Sequence, residues 1–138
     1  IKYIIYIIML LYLIVTLLTI MFFLSSFSKI KDFPNVVKGF KKSFEKKIFN
    51  IPDIFYNLAI VIAICIQFFC PLIILYSIYN PKYKMYGFVA SIWLIIFTIL
   101  ATYLYHFPPS GKEYYPFISN VTTIGGLSLM AYFFYYIL

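Results

Sequence analysis

The sequence predicts an all-α integral membrane protein: an antiparallel four-helix bundle with a short interfacial amphipathic helix between the first two spans. Hydrophobic residues make up 64% of the chain and charged residues only 11%, which is unlike the balance of a soluble domain. A bilayer core of about 30 Å needs about 20 apolar residues of helix. Four segments reach that length, at about 3–27, 54–79, 86–107 and 117–138. Residues 1–138 are therefore predicted to form a single transmembrane domain.

The first span, 3–27, lies near the start of the chain, as a signal peptide would. Its apolar core is much longer than the roughly 7–15 residues of a signal h-region, and no small-residue cleavage site follows it. We therefore expect this segment to be retained as a membrane span.

The loop after the first span contains an amphipathic segment at about 35–49. Its apolar side chains share one side of a helical wheel: Val36, Val37, Phe40, Phe44 and Ile48. Lysines occupy much of the rest: Lys38, Lys41, Lys42, Lys46 and Lys47. The pattern predicts a helix lying in the membrane interface with these lysines against anionic lipid, each worth about 1 kcal/mol near such a surface. A solvated basic loop without a specific lipid explains the pattern equally well.

The lysines also predict an orientation. All eleven basic residues are lysine, and eight of them lie in or beside the loops after the first and third spans, against three on the other side. Positive charge favours the cytoplasmic-equivalent side of a membrane, so both of these loops are predicted to lie there. Nucleic-acid binding explains the net charge of +7 poorly, because the lysines flank apolar spans and no nucleic-acid motif is present.

Each span carries a stripe of small and polar residues on one face. The stripes are Thr16, Thr19 and Ser26; Ala59, Ala63, Gln67, Cys70 and Ser77; Gly87, Ser91, Thr98, Thr102 and His106; and Ser119, Asn120, Thr122, Thr123 and Gly126. Lipid cannot satisfy such groups, while small residues let helices approach and hydroxyls can bond across them. The stripes predict a tight bundle and a polar seam where they meet.

The seam supplies the candidate ligand site, formed by Gln67, Thr98, Thr102, His106, Asn120 and Thr123. Gln67 lies near the middle of its span and is expected to bond to Thr98, Thr102 or Asn120; a hydrogen bond that serves packing alone is the alternative. His106 is at the rim, where imidazole can exchange protons, although a lone histidine there also suits an interfacial role. No metal site is predicted, because the chain has no second histidine and no carboxylate sits at ligand spacing from this one.

Four sequence segments together carry a family resemblance. The first span ends in LSSFSKIKDF (24–33), the second contains LAIVIAICIQFFCPLIILY (58–76), the third ends in LATYLYHF (100–107), and the fourth contains FISNVTTIGGLSLM (117–130). In order and character these segments resemble the DoxX family of small four-span membrane proteins. Two positions depart from the family pattern: Gln67 stands where many members carry Glu, and Ser119 stands where Lys is common. Both changes remove charge from the seam, so charged partners for His106 and Asn120 are expected to be missing.

The resemblance implies a four-helix bundle that is sometimes linked with thiol or sulfur oxidation and quinone-connected redox chemistry. No haem ligand pair, flavin fingerprint or iron–sulfur cysteine set accompanies it, so no cofactor is predicted, with a quinone or lipid left open. The sequence favours a non-catalytic or accessory component of a membrane assembly, whose partners would be lipids and other membrane subunits or a second copy. The alternative is a redox-associated protein that binds a quinone or another small ligand in the seam.

Overall fold

The computed structural model describes all 138 residues, Ile1–Leu138, and is all-helical, as predicted. Its five α-helices are α1 Lys2–Lys31, α2 Phe33–Lys47, α3 Asp53–Tyr79, α4 Lys84–His106 and α5 Tyr114–Tyr132. Single 3₁₀ turns, Pro81–Tyr83 and Gly111–Glu113, precede α4 and α5, and a π-helical turn, Phe133–Ile137, follows α5. The sequence placed the end of the first helix near residue 27, whereas α1 continues to Lys31.

Four of these helices are long and apolar enough to cross a membrane. With their adjoining turns, they contain 26 to 30 residues, and at about 1.5 Å per residue each exceeds a hydrocarbon core of about 30 Å. Their length and composition fit a multi-pass membrane protein, in agreement with the sequence prediction.

Prolines mark several of the helix boundaries. Pro52 immediately precedes α3, Pro81 opens the turn after it, and Pro108 and Pro109 follow α4. Proline has no N–H to donate and disfavours helical geometry in the residue before it, so these positions separate the long helices. Pro71 is different, because it lies inside α3, where it is buried and the helix continues past it.

The long helices pack in the order α1, α3, α4 and α5, each against the next, whereas α1 and α5 touch only sparsely. The apolar core lies in the half of the bundle farther from α2. Its buried side chains come from all four long helices and the turn after α5: Val15, Phe22, Cys70, Ile74, Ile78, Ala90, Leu94, Leu127, Met130 and Phe134. The half next to α2 is left less well filled, and the seam residues lie there.

Nine of the eighteen predicted stripe residues are buried and six more are half-buried. The buried polar ones are Thr19, Ser26, Gln67, Ser77, Ser91, Thr98 and Thr102. Three stripe residues are instead exposed, namely Thr16, Ser119 and Thr122. Exposure leaves the Thr122 hydroxyl bonded, because it donates to the Ile118 carbonyl of its own helix at 3.1 Å.

Candidate functional site

A cavity of about 780 Å³ lies in the half of the bundle next to α2, within the usual size of a small-molecule site, about 300–1,000 Å³. All five helices contribute to its walls. Five of the six predicted seam residues line it: Gln67, Thr98, His106, Asn120 and Thr123. The sixth, Thr102, is buried and accepts a hydrogen bond of 2.9 Å from Asn120 Nδ2. The structure therefore brings the predicted seam together; we call this space the seam cavity.

The hydroxyls of the seam are mostly bonded within their own helices. Thr98 Oγ1 donates to the Leu94 carbonyl at 2.7 Å, and Thr102 Oγ1 donates to the Thr98 carbonyl at 2.6 Å. Their single hydrogens are thus used inside α4. The expectation that seam hydroxyls bond across helices holds at Thr102, which accepts from Asn120, and Gln67 finds a different partner.

Gln67 is 4% exposed, and its Nε2 donates to Ser25 Oγ of α1 at 3.3 Å. The bonds expected to Thr98, Thr102 or Asn120 do not form. Its Oε1 is buried without any hydrogen-bond partner, which costs about 1–3 kcal/mol for a neutral group. Turning the carboxamide over would let Ser25 donate to Oε1 but would leave the amide hydrogens unpaired instead. One end of Gln67 is therefore unsatisfied in either orientation.

Lys29 also lines the seam cavity, although the sequence analysis did not place it among the seam residues. Its Nζ donates to Ser25 Oγ at 2.5 Å. The sequence analysis ended the first helix near residue 27 and counted this lysine as a loop charge. Because α1 continues to Lys31, Ser25 and Lys29 lie one helical turn apart on the same face. The four-residue spacing between Ser25 and Lys29 is the sequence feature that could have predicted their contact.

His106 has a carboxylate partner. Its Nδ1 is 2.6 Å from Glu113 Oε2, although no carboxylate lies at metal-ligand spacing from His106 in the sequence. The turn between α4 and α5 explains the contact: Gly111 has φ +59°, a conformation that glycine adopts without strain, and the chain reverses there. With Nδ1 engaged, Nε2 is the ring nitrogen left for a ligand or solvent.

Glu113 and Lys29 bring two charged side chains beside the seam, from the α4–α5 turn and from the last turn of α1. No three of the chain's His, Cys, Asp and Glu residues lie close enough together to hold a metal ion.

The lysines of α2, predicted to contact lipid, fall into two groups. Lys38, Lys42 and Lys46 are exposed. Lys41 Nζ instead lies 2.7 Å from Asp53 Oδ1, and this hydrogen bond raises the pKa of Lys41 above its ordinary value. Lys47 Nζ donates to the Phe107 carbonyl at 2.6 Å and also to the carbonyl of Tyr103.

Lys47 therefore caps the C-terminal end of α4, where carbonyls lack helical partners and a cation is favoured. Lipid contact for the three exposed lysines stays a prediction.

Aromatic contacts hold α2 against the start of α3. The rings of Phe40 and Phe44 pack on Tyr56 with centroid distances of 5.9 and 5.8 Å, and Tyr56 is fully buried. The Tyr56 hydroxyl donates to Glu45 Oε1 at 3.3 Å and accepts from the Ile51 amide at 3.2 Å. Together with Lys47 on α4, these contacts fix α2 across the cavity end of the bundle.

No protein-family model, curated protein or solved structure matches the chain.

Proposed function

We propose that this protein is a multi-pass membrane protein that binds a lipophilic small molecule by its polar head in the seam cavity. The observation that carries the proposal is Gln67, a nearly buried carboxamide that lines a cavity of about 780 Å³ and has one end unpaired. Buried polar groups are nearly always satisfied. A ligand group that donates to Oε1 would complete this one, as would a ligand oxygen that accepts from the amide in the turned orientation.

The membrane setting is part of the proposal. Large apolar side chains cover the outer faces of all four long helices, as expected where lipid rather than water is the solvent. We propose an antiparallel four-helix bundle across the bilayer, with α2 in the interface and its exposed lysines, Lys38, Lys42 and Lys46, toward the headgroups. The lysine-rich side that carries α2 and the α4–α5 turn would face the cytoplasmic-equivalent compartment.

The cavity lining suits an amphiphile. Leu17, Leu18, Met21 and Phe22 form an apolar wall on α1, opposite hydroxyl and amide groups of α4 and α5. Such a mixture of mainly apolar walls with a few placed polar groups is typical of ligand sites. A quinone would fit the DoxX resemblance, since its carbonyl oxygens could accept from Lys29, from Asn120 and from the amide of Gln67 in the turned orientation.

The proposed role is binding rather than catalysis. Neither cysteine lines the cavity, because Cys70 belongs to the apolar core and Cys65 is exposed on α3, so thiol chemistry has no group there. An accessory role in a larger assembly is compatible with ligand binding. It is favoured by the first third of α1, where residues 1–10 are all exposed, and co-purification of another membrane subunit would support it.

The test is the substitution Gln67→Leu, with chloroform extraction and mass spectrometry of lipophilic molecules that co-purify with the protein. The wild type should carry a defined molecule near one per chain, and Gln67→Leu should lose most of it. Because leucine removes an unpaired buried group, the thermal midpoint should change little, which shows that the loss is not unfolding.

The matched control is Asn57→Leu, an exposed position on the same helix. This variant should keep the wild-type ligand content. Equal ligand content in the wild type and in Gln67→Leu would contradict the proposal.

A further inference from the structure

A second cavity, of about 400 Å³, lies between α3 and α4 beneath α2. We call it the apolar groove, because sixteen of its seventeen lining residues are hydrophobic and the exception is Lys29. Phe40 and Phe44 of α2 contribute to it at one end, and Trp93 of α4 contributes farther along. A space of this shape and lining suits a hydrocarbon chain rather than a polar molecule.

The apolar groove and the seam cavity share a wall. Four residues line both: Lys29, Phe97, Ala101 and Tyr105. Lys29 is the charged member of this set, and it stands where a polar compartment on one side meets an apolar compartment on the other. A molecule with a polar head and an apolar tail would match this division.

The charge at the junction is uncompensated. No aspartate or glutamate lines either cavity, and Lys29 takes part in none of the protein's salt bridges. Its ammonium has only the neutral Ser25 hydroxyl as a side-chain partner. A half-buried cation among apolar walls is costly without a counter-charge, and an anionic ligand group would supply one.

Resting on the proposed function, we infer that the ligand is an anionic amphiphile whose carboxylate or phosphate pairs with Lys29. Its head lies in the seam cavity, where Gln67, turned so that Ser25 donates to its Oε1, can donate an amide hydrogen to a second anionic oxygen. Its hydrocarbon tail passes Ala101, the smallest residue of the shared wall, into the apolar groove. Charge-assisted hydrogen bonds of this kind are about twice as strong as neutral ones.

The chain provides its own reporter for this arrangement. Trp93 is the single tryptophan and lines the apolar groove, so a brominated tail bound there would quench its fluorescence. The experiment uses the full chain in a nonionic detergent. Three probes share one dibrominated stearyl tail and differ in the head: dibromostearate, dibromostearyl phosphate and dibromostearyl alcohol.

We expect saturable quenching by the two anions and about tenfold to a hundredfold weaker binding of the alcohol. Lys29→Met should weaken both anions to the level of the alcohol and leave the alcohol unchanged. Lys31→Met, an exposed lysine at the end of the same helix, should behave as the wild type. Tighter binding of the phosphate would identify a phospholipid-type head, and tighter binding of the carboxylate would identify a fatty acid.

Three results would overturn the inference. The first is alcohol binding as tight as that of the anions, and the second is anion binding that Lys29→Met leaves intact. In either case, if Gln67→Leu still weakens the binding, the seam site survives and only the anionic head is wrong. The third is linear, unsaturable quenching by all three probes, which would show that no tail occupies the apolar groove. Saturable binding that is insensitive to Gln67→Leu would remove the proposed seam site as well.

Discussion

Replacing Gly87 by alanine is expected to destabilise the bundle by about 1–3 kcal/mol, the usual cost of overpacking a core. A Cβ at this position would lie 2.6 Å from Phe134 Cζ and 2.8 Å from Ser77 Cβ. Phe134 and Ser77 are both fully buried, and Ser77 Cβ is fixed directly to the backbone of α3. The extra methyl group can therefore be accommodated only if α3, α4 and the end of the chain move apart.

Two other helical glycines provide matched controls. A Cβ at Gly125 would meet nothing within 4 Å, so Gly125→Ala should be neutral or stabilising by up to about 1 kcal/mol through helix propensity. A Cβ at Gly126 would lie 2.8 Å from Leu18 Cδ1, the end of a side chain that can change rotamer, so its cost should be intermediate. Thermal unfolding midpoints in one detergent measure the series, and equal midpoints for Gly87→Ala and Gly125→Ala would contradict the close packing described.

Filling the wall between the two cavities should have a comparable effect of opposite sign. Ala101 is half-buried and lines both the seam cavity and the apolar groove. A phenylalanine there can place its ring in existing space, so Ala101→Phe should abolish ligand co-purification. Filling the space should stabilise the ligand-free protein by about 1–2 kcal/mol through van der Waals contacts of the ring, which drive helix packing where lipid is the solvent.

The comparison variant is Val121→Phe, at an exposed position of α5. It adds an aromatic ring outside the bundle and should leave both ligand content and the unfolding midpoint near the wild-type values. If Ala101→Phe were destabilised as strongly as Gly87→Ala, the cavities would be smaller than described and the ligand site would lose its basis.

The spans could be predicted from the sequence because membrane crossing depends on the length and composition of a segment, and both are local properties. The same holds for the amphipathic helix, predicted at about 35–49 and found as Phe33–Lys47, because the helical spacing of its apolar residues is a property of one short segment. The seam was predictable for a related reason: Gln67, Thr98 and Asn120 are polar residues in apolar surroundings and had to turn inward.

What could not be predicted depended on where helices end and chains reverse. Lys29 entered the site because α1 continues beyond residue 27, and Glu113 reached His106 because the chain reverses at Gly111. Hydrogen-bond partners could not be predicted from the sequence either, since Gln67 donates to Ser25, which is forty-two positions away. The capping of α4 by Lys47 of α2 could not be predicted for the same reason, because the two helices are distant in the sequence.

The central claim, that the seam cavity is a ligand site, is tested most directly by an experimental density map of the wild-type protein purified from its own membrane in mild detergent. We predict continuous non-protein density beside Gln67 and Lys29, with a head in the seam cavity and an elongated tail in the apolar groove. A map in which the side chains of Leu17, Met21 and Phe97 close over the space, and Gln67 is fully paired by protein groups, would contradict the claim.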